Sequence, residues 1–277
     1  MKENNILEKI FNHKLKEIDE RKKTSSAKML EEKPLFSRQT RSLSQAIRRK
    51  DQSGIVAEFK NRSPSMGTIN ENANVKKVSQ GYLTAGASAL SILTDENFFG
   101  GSLNKLEIAR KNNDCPILQK DFIMDPYQIQ EAKAYGADAI LLIAAMLSKD
   151  KVRELSSYAG SLGLETLLEI HQEEELDRIT DQIDLVGINN RNLKNFSVNQ
   201  KNSVDLVNSI PYGFVKIAES GIESAKQAFN LLNSGFDGLL IGSQFMKHTD
   251  PAEACREFIN QLKDYKETEK ETKMKKQ

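Results

Sequence analysis

The stretch YQIQEAKAYGADAILLI, residues 127–143, contains a helical pattern followed by a short apolar run. Residues 127–135 mix apolar and polar side chains at helical spacing, and Ala139–Ile143 is apolar throughout. A short run without polar alternation is typical of a strand that is buried on both faces. The stretch therefore predicts a helix that leads into a strand of a parallel sheet.

The same unit is repeated along most of the chain. The central residues of successive apolar runs lie 20 to 34 residues apart, and each gap contains a helical pattern. The eight runs are Gly54–Phe59, Ala89–Leu93, Pro116–Leu118, Ala139–Ile143, Glu165–Ile170, Leu185–Ile188, Phe214–Ala218 and Gly238–Ile241. Eight such units favour an α/β fold, a closed (β/α)8 TIM barrel. A doubly wound open sheet is the alternative, but it would more often carry a GxGxxG turn after its first strand, where none is present.

The regions outside the runs are polar and differ from the barrel. Ile6, Leu7, Ile10, Phe11, Leu15 and Ile18 recur at helical spacing and predict an amphipathic helix from about Ile6 to Lys22. A second short helix is predicted around Leu43–Arg49. The stretch from Lys263 is almost all Lys, Glu and Thr and cannot bury apolar area. We therefore expect a helical extension over 1–53, the barrel over 54–262, and a polar tail over 263–277 that is disordered or at most a frayed helix.

Charge is unevenly distributed, although the 277 residues carry a formal net charge of only +1. Residues 1–50 contain 14 Lys/Arg and 7 Asp/Glu, residues 51–262 contain 20 and 28, and residues 263–277 contain 6 and 4. A basic arm can bind nucleic acid. Aromatic residues that could stack on bases are scarce in it, since it contains only Phe11 and Phe36. A solvated helix face is therefore favoured over a nucleic-acid surface.

Composition excludes several classes of protein. No run of 18 apolar residues exists, which argues against a transmembrane helix. The acidic residues Glu3, Glu8 and Glu17 among the first lysines, and the lack of an apolar segment there, argue against a signal peptide. Two cysteines, Cys115 and Cys255, cannot build a disulfide framework or a four-cysteine zinc site. A cytoplasmic location is expected.

Charged or polar residues end most of the predicted strands, at the end of the barrel where active sites lie. Such groups are costly to bury unless they are paired or used in catalysis. Glu58 and Lys60 are two residues apart, so they point to the same side and can form a pair. Lys120 and Glu169 come from different strands and could flank one substrate. Structural ion pairs are the alternative interpretation of these residues.

Two glycine-containing turns indicate a phosphate site. Ser220-Gly221 and Gly242-Ser243 follow the last two strands, each expected just before a helix. Backbone N–H groups at such a position bind anions, and many barrels hold a phosphate there. Ordinary helix capping by serine is the alternative for either turn alone.

An apolar slot for a flat ring is expected near the same end of the barrel, formed by Phe99, Phe122, Leu141 and Leu193, although core packing would also explain these residues. The three histidines include no pair at metal-ligand spacing, so no metal site is predicted.

Five segments together resemble the indole-3-glycerol phosphate synthase family, over about residues 54–247. They are Glu58–Ser65, which resembles the EFKxxSPS signature, Leu93–Ser102, Lys120–Ile123, Gly187–Leu193 and Ala218–Ile222. The resemblance implies a tryptophan-pathway lyase whose substrate is 1-(2-carboxyphenylamino)-1-deoxyribulose 5-phosphate. Ring closure with loss of CO₂ and water would give indole-3-glycerol phosphate, with no cofactor or metal.

The resemblance also implies a role for each matched residue. Lys120 is the general acid that protonates the ketone, Glu169 is the base of the dehydration, and Lys60, held by Glu58, is a second acid. The sequence leaves open which lysine performs which acid step. The other implied roles are Asn189 for orienting the hydroxyl chemistry, Arg191 near Glu58 and the substrate carboxylate, Ser63 for that carboxylate, Glu219 and Ser220 along the sugar chain, Gly221, Gly242 and Ser243 for phosphate, and Phe99, Phe122, Leu141 and Leu193 for the ring.

Two positions depart from the family pattern, and other functions compete. Asn61 stands where a basic residue is common, and Ser243 stands where some relatives have Glu. A phosphoribosylanthranilate isomerase-like enzyme would need a Cys/Asp acid–base pair, but no predicted strand ends in Cys. A non-catalytic binding barrel would be expected to lose Lys120 or Glu169, and both are present. The expected partner is a phosphorylated small molecule, with no nucleic acid and no membrane, and a monomer is favoured over an oligomer.

Overall fold

Eight parallel strands form a closed barrel in the computed structural model, which describes residues 6–191 and 200–274 without the side chains of residues 200–202 and 273. Each strand pairs with its neighbours along the chain, and the first pairs with the last. The strands are β1 Ile55–Phe59, β2 Ala89–Leu93, β3 Ile117–Lys120, β4 Ala139–Ile143, β5 Glu165–Ile170, β6 Leu185–Asn189, β7 Val215–Glu219 and β8 Gly238–Ile241. The (β/α)8 barrel predicted from the apolar runs is confirmed.

Helices precede the barrel and connect its strands. Between β5 and β6 the connection contains a 3₁₀ helix, Glu173–Arg178, instead of the α-helix expected in every gap. A second 3₁₀ turn, Ala144–Met146, follows β4, and a short antiparallel pair, Arg62–Ser63 with Gly67–Thr68, follows β1. The α-helices are α1 Ile6–Thr24, α2 Ala27–Glu31, α3 Leu43–Arg48, α4 Val75–Thr84, α5 Leu103–Asn112, α6 Pro126–Ala134, α7 Lys149–Ser161, α8 Gln200–Val207, α9 Ala225–Asn233, α10 Ser243–Met246 and α11 Pro251–Met274.

Local sequence fixes where several of these helices begin. Asp125 and Gln128 form a capping box at α6, and Pro126 occupies the first turn, where its missing N–H costs nothing. Ser224 and Gln227 form the same arrangement at α9. These caps fix the first residue of each helix and therefore the length of the loop that joins it to the preceding strand.

Side chains alternate along each strand between the barrel interior and the helix layer. Val56, Leu118, Leu167 and Leu185 share the inner apolar cluster, whereas their strand neighbours pack with the helices. Counting on in steps of two from these residues leads to the last inward position of each strand. Those positions hold Glu58, Lys120, Glu169 and Asn189, and by the same count Glu219 in β7. Alternation therefore brings the polar strand ends to one place.

The two ends of the barrel are covered by different parts of the extension. Leu43 and Ile47 of α3 pack in the inner cluster with the first residues of strands, so α3 closes the amino-terminal end. Helix α1 lies at the opposite end, where Lys14 contacts the loops after β2 and β3.

The buried face of α1 differs from the predicted apolar face. Leu7, Ile10, Lys14 and Ile18 are buried, whereas Phe11 and Leu15 are 36% and 44% exposed. A lysine thus occupies the centre of the packed face, because buried carboxylates of the barrel lie opposite it.

Basic residues of the first 50 positions pair with acidic residues of the barrel. Because these pairs join the basic arm to the acidic body, the uneven charge of the sequence is balanced within the molecule. The pairs are Lys14–Asp95, Lys14–Asp121, Arg21–Glu131, Lys22–Asp125, Arg38–Asp138 and Arg41–Asp114.

The polar tail, expected to be disordered or a frayed helix, is helical from residue 263 up to Met274, and no break separates it from the barrel at residue 262. Helix α11 is anchored by the buried Phe258, Ile259 and Leu262. Beyond them Tyr265 stacks on Phe229, with ring centroids 5.7 Å apart. These contacts extend the helix into residues that bury little surface. Within the described ranges, no helix is long and apolar enough to cross a membrane.

Candidate active site

A cavity of about 220 Å³ opens at the carboxyl ends of the strands. All of the predicted site residues that the structure describes lie around it, and Leu193 lies outside the described residues. The lining residues that were predicted are Glu58, Lys60, Ser63, Phe99, Lys120, Phe122, Leu141, Glu169, Asn189, Arg191, Glu219, Ser220, Gly221, Gly242 and Ser243. The residues predicted from the sequence therefore line one cavity, and their individual roles stay predictions.

Lys120 lies between two buried carboxylates at the base of this cavity. Its Nζ is 3.0 Å from Oε2 of Glu169, and it also donates to Oε2 of Glu219. The side chains of both glutamates are at most 3% exposed. We call these three residues the Lys120 cluster. The contact with Glu219 was not anticipated, since Glu219 was predicted to line the sugar chain.

The two carboxylates of the Lys120 cluster are not equivalent. Burial opposes ionisation of Glu169, but Lys120 and His171 outweigh it and lower the pKa of Glu169 to about 2. For Glu219 burial prevails over Lys120 and raises the pKa to about 7. Oε1 of Glu219 has no hydrogen-bond partner among the described residues. One ammonium thus serves two carboxylates, of which one is ionised and the other titrates near neutral pH.

Glu58 and Lys60 form the ion pair that their spacing predicted. Nζ of Lys60 lies 2.7 Å from Oε1 of Glu58, and both side chains are largely buried. Glu58 also packs against Gly242, where an added Cβ would lie 3.0 Å from Cβ of Glu58. Gly242, predicted only to approach phosphate, therefore also makes room for this glutamate.

A second lysine is enclosed by carboxylates behind the cavity. Lys14, with no exposed surface, lies 2.9 Å from Asp95 and 2.9 Å from Asp121. We call these three residues the Lys14 cluster. Oδ1 of Asp95 accepts N–H bonds from Phe98 and Phe99 at 2.7 and 3.1 Å.

Asp121 of the Lys14 cluster accepts the N–H of Phe122 at 2.8 Å. The rings of Phe99 and Phe122, which line the cavity, are 5.9 Å apart between centroids. The Lys14 cluster thus holds the aromatic wall of the site.

The two turns predicted to bind phosphate, after β7 and β8, are built differently from each other. Ser220 and Gly221 have φ values of 65° and 66°, and Ser220 is the only non-glycine residue with positive φ among those described. Such a conformation is costly for serine and is found most often at functional sites. The turn does not lie just before a helix as expected, because α9 begins four residues later at Ala225. Gly242 does directly precede α10.

Comparison with known families decides the assignment. The family model described as "Indole-3-glycerol phosphate synthase" matches residues 7–258. The chain belongs to the indole-3-glycerol phosphate synthase family. The lyase class and the activity that the strand-end motifs predicted are thereby confirmed.

Relatives that carry the name indole-3-glycerol phosphate synthase match nearly the whole chain. The protein from Bacteroides thetaiotaomicron is 47% identical over 257 residues, covering 93% of this chain and 98% of its own. The protein from Campylobacter jejuni is 39% identical and covers 92% of this chain and 100% of its own.

Solved structures of other enzymes share the fold. Tryptophan synthase subunit alpha from Legionella pneumophila has a TM-score of 0.58 at 14% identity, covering 79% of this chain and 96% of its own. The 3-hexulose-6-phosphate synthase from Salmonella typhimurium has a TM-score of 0.59 at 13% identity, covering 76% of this chain and 98% of its own.

Several residues that line the cavity were not predicted from the sequence. Lys247 and Gln244 line the cavity near Gly242, and Met66 lines it from the loop after β1. Lys247 follows Ser243 by one helical turn, a spacing that could have indicated it. Among the described residues, no group of three or more His, Cys, Asp or Glu side chains could hold a metal ion.

Proposed function

We propose that this chain binds 1-(2-carboxyphenylamino)-1-deoxyribulose 5-phosphate and converts it to indole-3-glycerol phosphate in the cavity around Lys120. A carbon–carbon bond forms between the ring carbon that bears the carboxylate and the ketone carbon of the sugar chain. Lys120 donates a proton to the ketone oxygen as that bond forms, and CO₂ then leaves the ring carbon. Holding the two reacting carbons together supplies much of the rate enhancement.

Dehydration completes the reaction. Glu169 removes a proton from the CH₂ carbon between the nitrogen and the former ketone carbon. An ammonium protonates the hydroxyl on the former ketone carbon, which leaves as water as the double bond between the two carbons forms. Lys60 is suited to this second acid role because Glu58 holds its ammonium 2.7 Å away at the rim of the same cavity. Asn189, whose neighbour Arg191 donates its backbone N–H to Oδ1 of Asn189 at 3.0 Å, orients the hydroxyl.

The substrate would lie across the cavity with its two ends in different surroundings. The aromatic ring packs between Phe99, Phe122 and Leu141, and Leu193 is proposed for the same wall on the sequence motif alone. Ser63 and Arg191 bind the ring carboxylate, and Glu219 and Ser220 line the sugar chain. The phosphate receives backbone N–H groups at Gly221, Gly242 and Ser243.

The single observation that carries the proposal is the position of Lys120. It is a cation held 3.0 Å from the proposed base Glu169. The aromatic wall follows β2 and β3, and the positive-φ turn follows β7, across the barrel from β3. That order matches a substrate with a ring, a central ketone and a terminal phosphate.

The direct test mixes purified protein with the carboxyphenylamino substrate and follows indole fluorescence. The chain contains no Trp, so the background is low. We expect turnover by the wild type and none above background by a Glu169→Gln control. Absence of signal at saturating substrate would overturn the proposal. Consumption of phosphoribosylanthranilate instead would favour an isomerase.

We also propose that the enzyme is a cytoplasmic monomer that contacts neither nucleic acid nor membrane. Its two cysteines are buried and free, which suits a reducing compartment. We retain the division into an extension over 1–53, a barrel over 54–262 and a tail over 263–277, the tail now continuing a barrel helix. Light scattering during size exclusion tests the monomer.

A further inference from the structure

The middle of strand β6 contains a glycine where every other residue of the strand has a side chain. Gly187 points into the barrel, and its φ does not lie in the left-handed region, so backbone freedom does not explain a glycine there. Glycine inside a strand often marks the close approach of another group. Here that group is chiefly the Glu219 carboxylate, since a Cβ added to Gly187 would overlap Oε1 and lie 3.2 Å from Cδ of Glu219, and it would also lie 3.3 Å from Cδ1 of Leu167.

The pairing register shows how unusual this contact is. Glu219 is level with Asn189, whereas Gly187 is level with Ile217 on one side and with Glu169 on the other. The side chain of Glu219 therefore folds back by two residues, over Gly187 and toward Glu169. This path is what brings Oε2 of Glu219 to Lys120, a residue of β3.

We propose that Gly187 is a positioning residue, whose missing side chain lets the Glu219 carboxylate lie deep in the barrel against Lys120. With a methyl group at residue 187, Glu219 must turn outward into the cavity. Lys120 then keeps Glu169 alone as its carboxylate partner, and the outward carboxylate occupies space that the substrate needs. Gly187 does not line the cavity, so its effect on the reaction must pass through Glu219, its nearest contact.

A double-mutant cycle tests this path. Wild type, Gly187→Ala, Glu219→Ala and the double variant are compared by kcat, KM and urea unfolding midpoint. We expect Gly187→Ala to lower kcat at least tenfold in the wild-type background. In the Glu219→Ala background it should change kcat less than twofold and lower the unfolding midpoint less than in the wild-type background, because only the approach to Leu167 remains. Equal losses in both backgrounds, or wild-type kcat for Gly187→Ala, would overturn the proposal.

Gly238→Ala is the matched control. Gly238 is also a barrel-strand glycine with no room for a methyl group, but its close neighbours are Ile47 and Gly54 at the amino-terminal end. It should lose stability and keep kcat. Loss of kcat in Gly238→Ala as large as in Gly187→Ala would show a general packing effect and contradict the proposal.

The kinetic arm rests on the proposed function, whereas the unfolding arm does not. If the wild type showed no turnover, the proposed function would fail, and the unfolding cycle would still decide the role of Gly187. If Gly187→Ala did not fold, the double variant decides, because it removes the overlap with Glu219 and leaves only the 3.3 Å approach to Cδ1 of Leu167. Recovery of folding in the double variant supports the proposal, and continued misfolding overturns it.

Discussion

The Lys14 cluster and the Lys120 cluster contain the same chemical groups but differ in how well those groups are satisfied. Each lysine contacts two carboxylates of the barrel, and Lys14 also contacts Glu17 of its own helix at 3.1 Å. The clusters meet at the end of β3, where Lys120 and Asp121 are consecutive. Lys14 has no exposed side-chain surface, whereas 14% of the Lys120 side chain is exposed to the cavity. Lys14 is buried beneath its own helix α1, whereas Lys120 faces the cavity.

The carboxylates show the difference most clearly. In the Lys14 cluster, Oδ1 of Asp95 accepts two backbone N–H bonds, and Oδ2, which accepts no hydrogen bond from the described residues, lies 2.9 Å from the Lys14 ammonium. Burial opposes ionisation of Asp121, but Lys14 and bonds from Thr94 and Phe122 keep its pKa below the usual range. In the Lys120 cluster, Glu219 has an unpartnered oxygen and a pKa raised to about 7 by burial. A satisfied cluster holds structure together, and an incompletely satisfied one can respond to a substrate.

The largest predicted effect is on turnover at Lys120. We expect Lys120→Ala to lower kcat by about 10²- to 10⁴-fold, because the general acid is lost. The two glutamates are buried in the wild type, but removing the Lys120 side chain opens space from the cavity in which water can reach them, so the fold should remain intact. Steady-state kinetics and circular dichroism measure both. Near wild-type turnover would contradict the proposed role of Lys120 and, with it, the functional contrast between the two clusters.

Lys14→Met should lower stability strongly and turnover only weakly. Removing the cation leaves Asp95 and Asp121 buried without it, which costs about 3–5 kcal/mol of unfolding free energy for a buried pair. Urea unfolding measures this, and kcat at low temperature should fall far less than in Lys120→Ala. Lys16→Met is the control, because Lys16 is exposed on the same helix. A loss below about 1 kcal/mol would mean that the cluster does not hold α1.

The two clusters also differ in how far the sequence predicts them. Lys120 and Glu169 end apolar strands, and strand alternation turns both inward, so their meeting follows from the pattern alone. Glu219 is also inward by this rule, but its path to Lys120 depends on Gly187, a pairing that only the register reveals.

Lys14 could not be predicted in this way. It lies at helical spacing with Leu7, Ile10 and Ile18, yet a lysine in an exposed-looking extension predicts a solvated face. Its partner Glu17 is local, but its two barrel partners lie in loops far along the chain, and nothing local to α1 indicates them. The charge imbalance between arm and barrel was visible in the sequence, but the pairing that explains it required the fold.

The pH dependence of stability sharpens the comparison at a third buried acid. Burial raises the pKa of Glu131 to about 7, although Arg21 of α1 lies 3.2 Å from it. The pKa of Glu131 is about 4.5 in the unfolded chain and about 7 in the folded protein. Between these two pH values the folded state binds a proton that the unfolded state has lost, so the unfolding free energy falls as pH rises through this window. Between pH 5 and pH 8, the unfolding free energy of Glu131→Gln should therefore fall by about 1–3 kcal/mol less than that of the wild type.

Urea unfolding at the two pH values measures that difference. Other buried carboxyls, Glu219 among them, act equally in both proteins, so the change in slope isolates Glu131. Identical slopes in the two proteins would show that Arg21 compensates Glu131 fully, as Lys14 compensates Asp121.

The smallest effect is expected where the extension meets the barrel at an exposed pair. Nζ of Lys22 lies 2.7 Å from Oδ2 of Asp125, and the two side chains are 41% and 31% exposed. Because water screens such a pair, Lys22→Ala should cost only about 0.2–1 kcal/mol of unfolding free energy, and 1 M NaCl should remove most of that difference. Urea unfolding at both salt concentrations checks this. A loss as large as that of Lys14→Met would mean that burial does not separate the strong contacts of α1 from the weak ones.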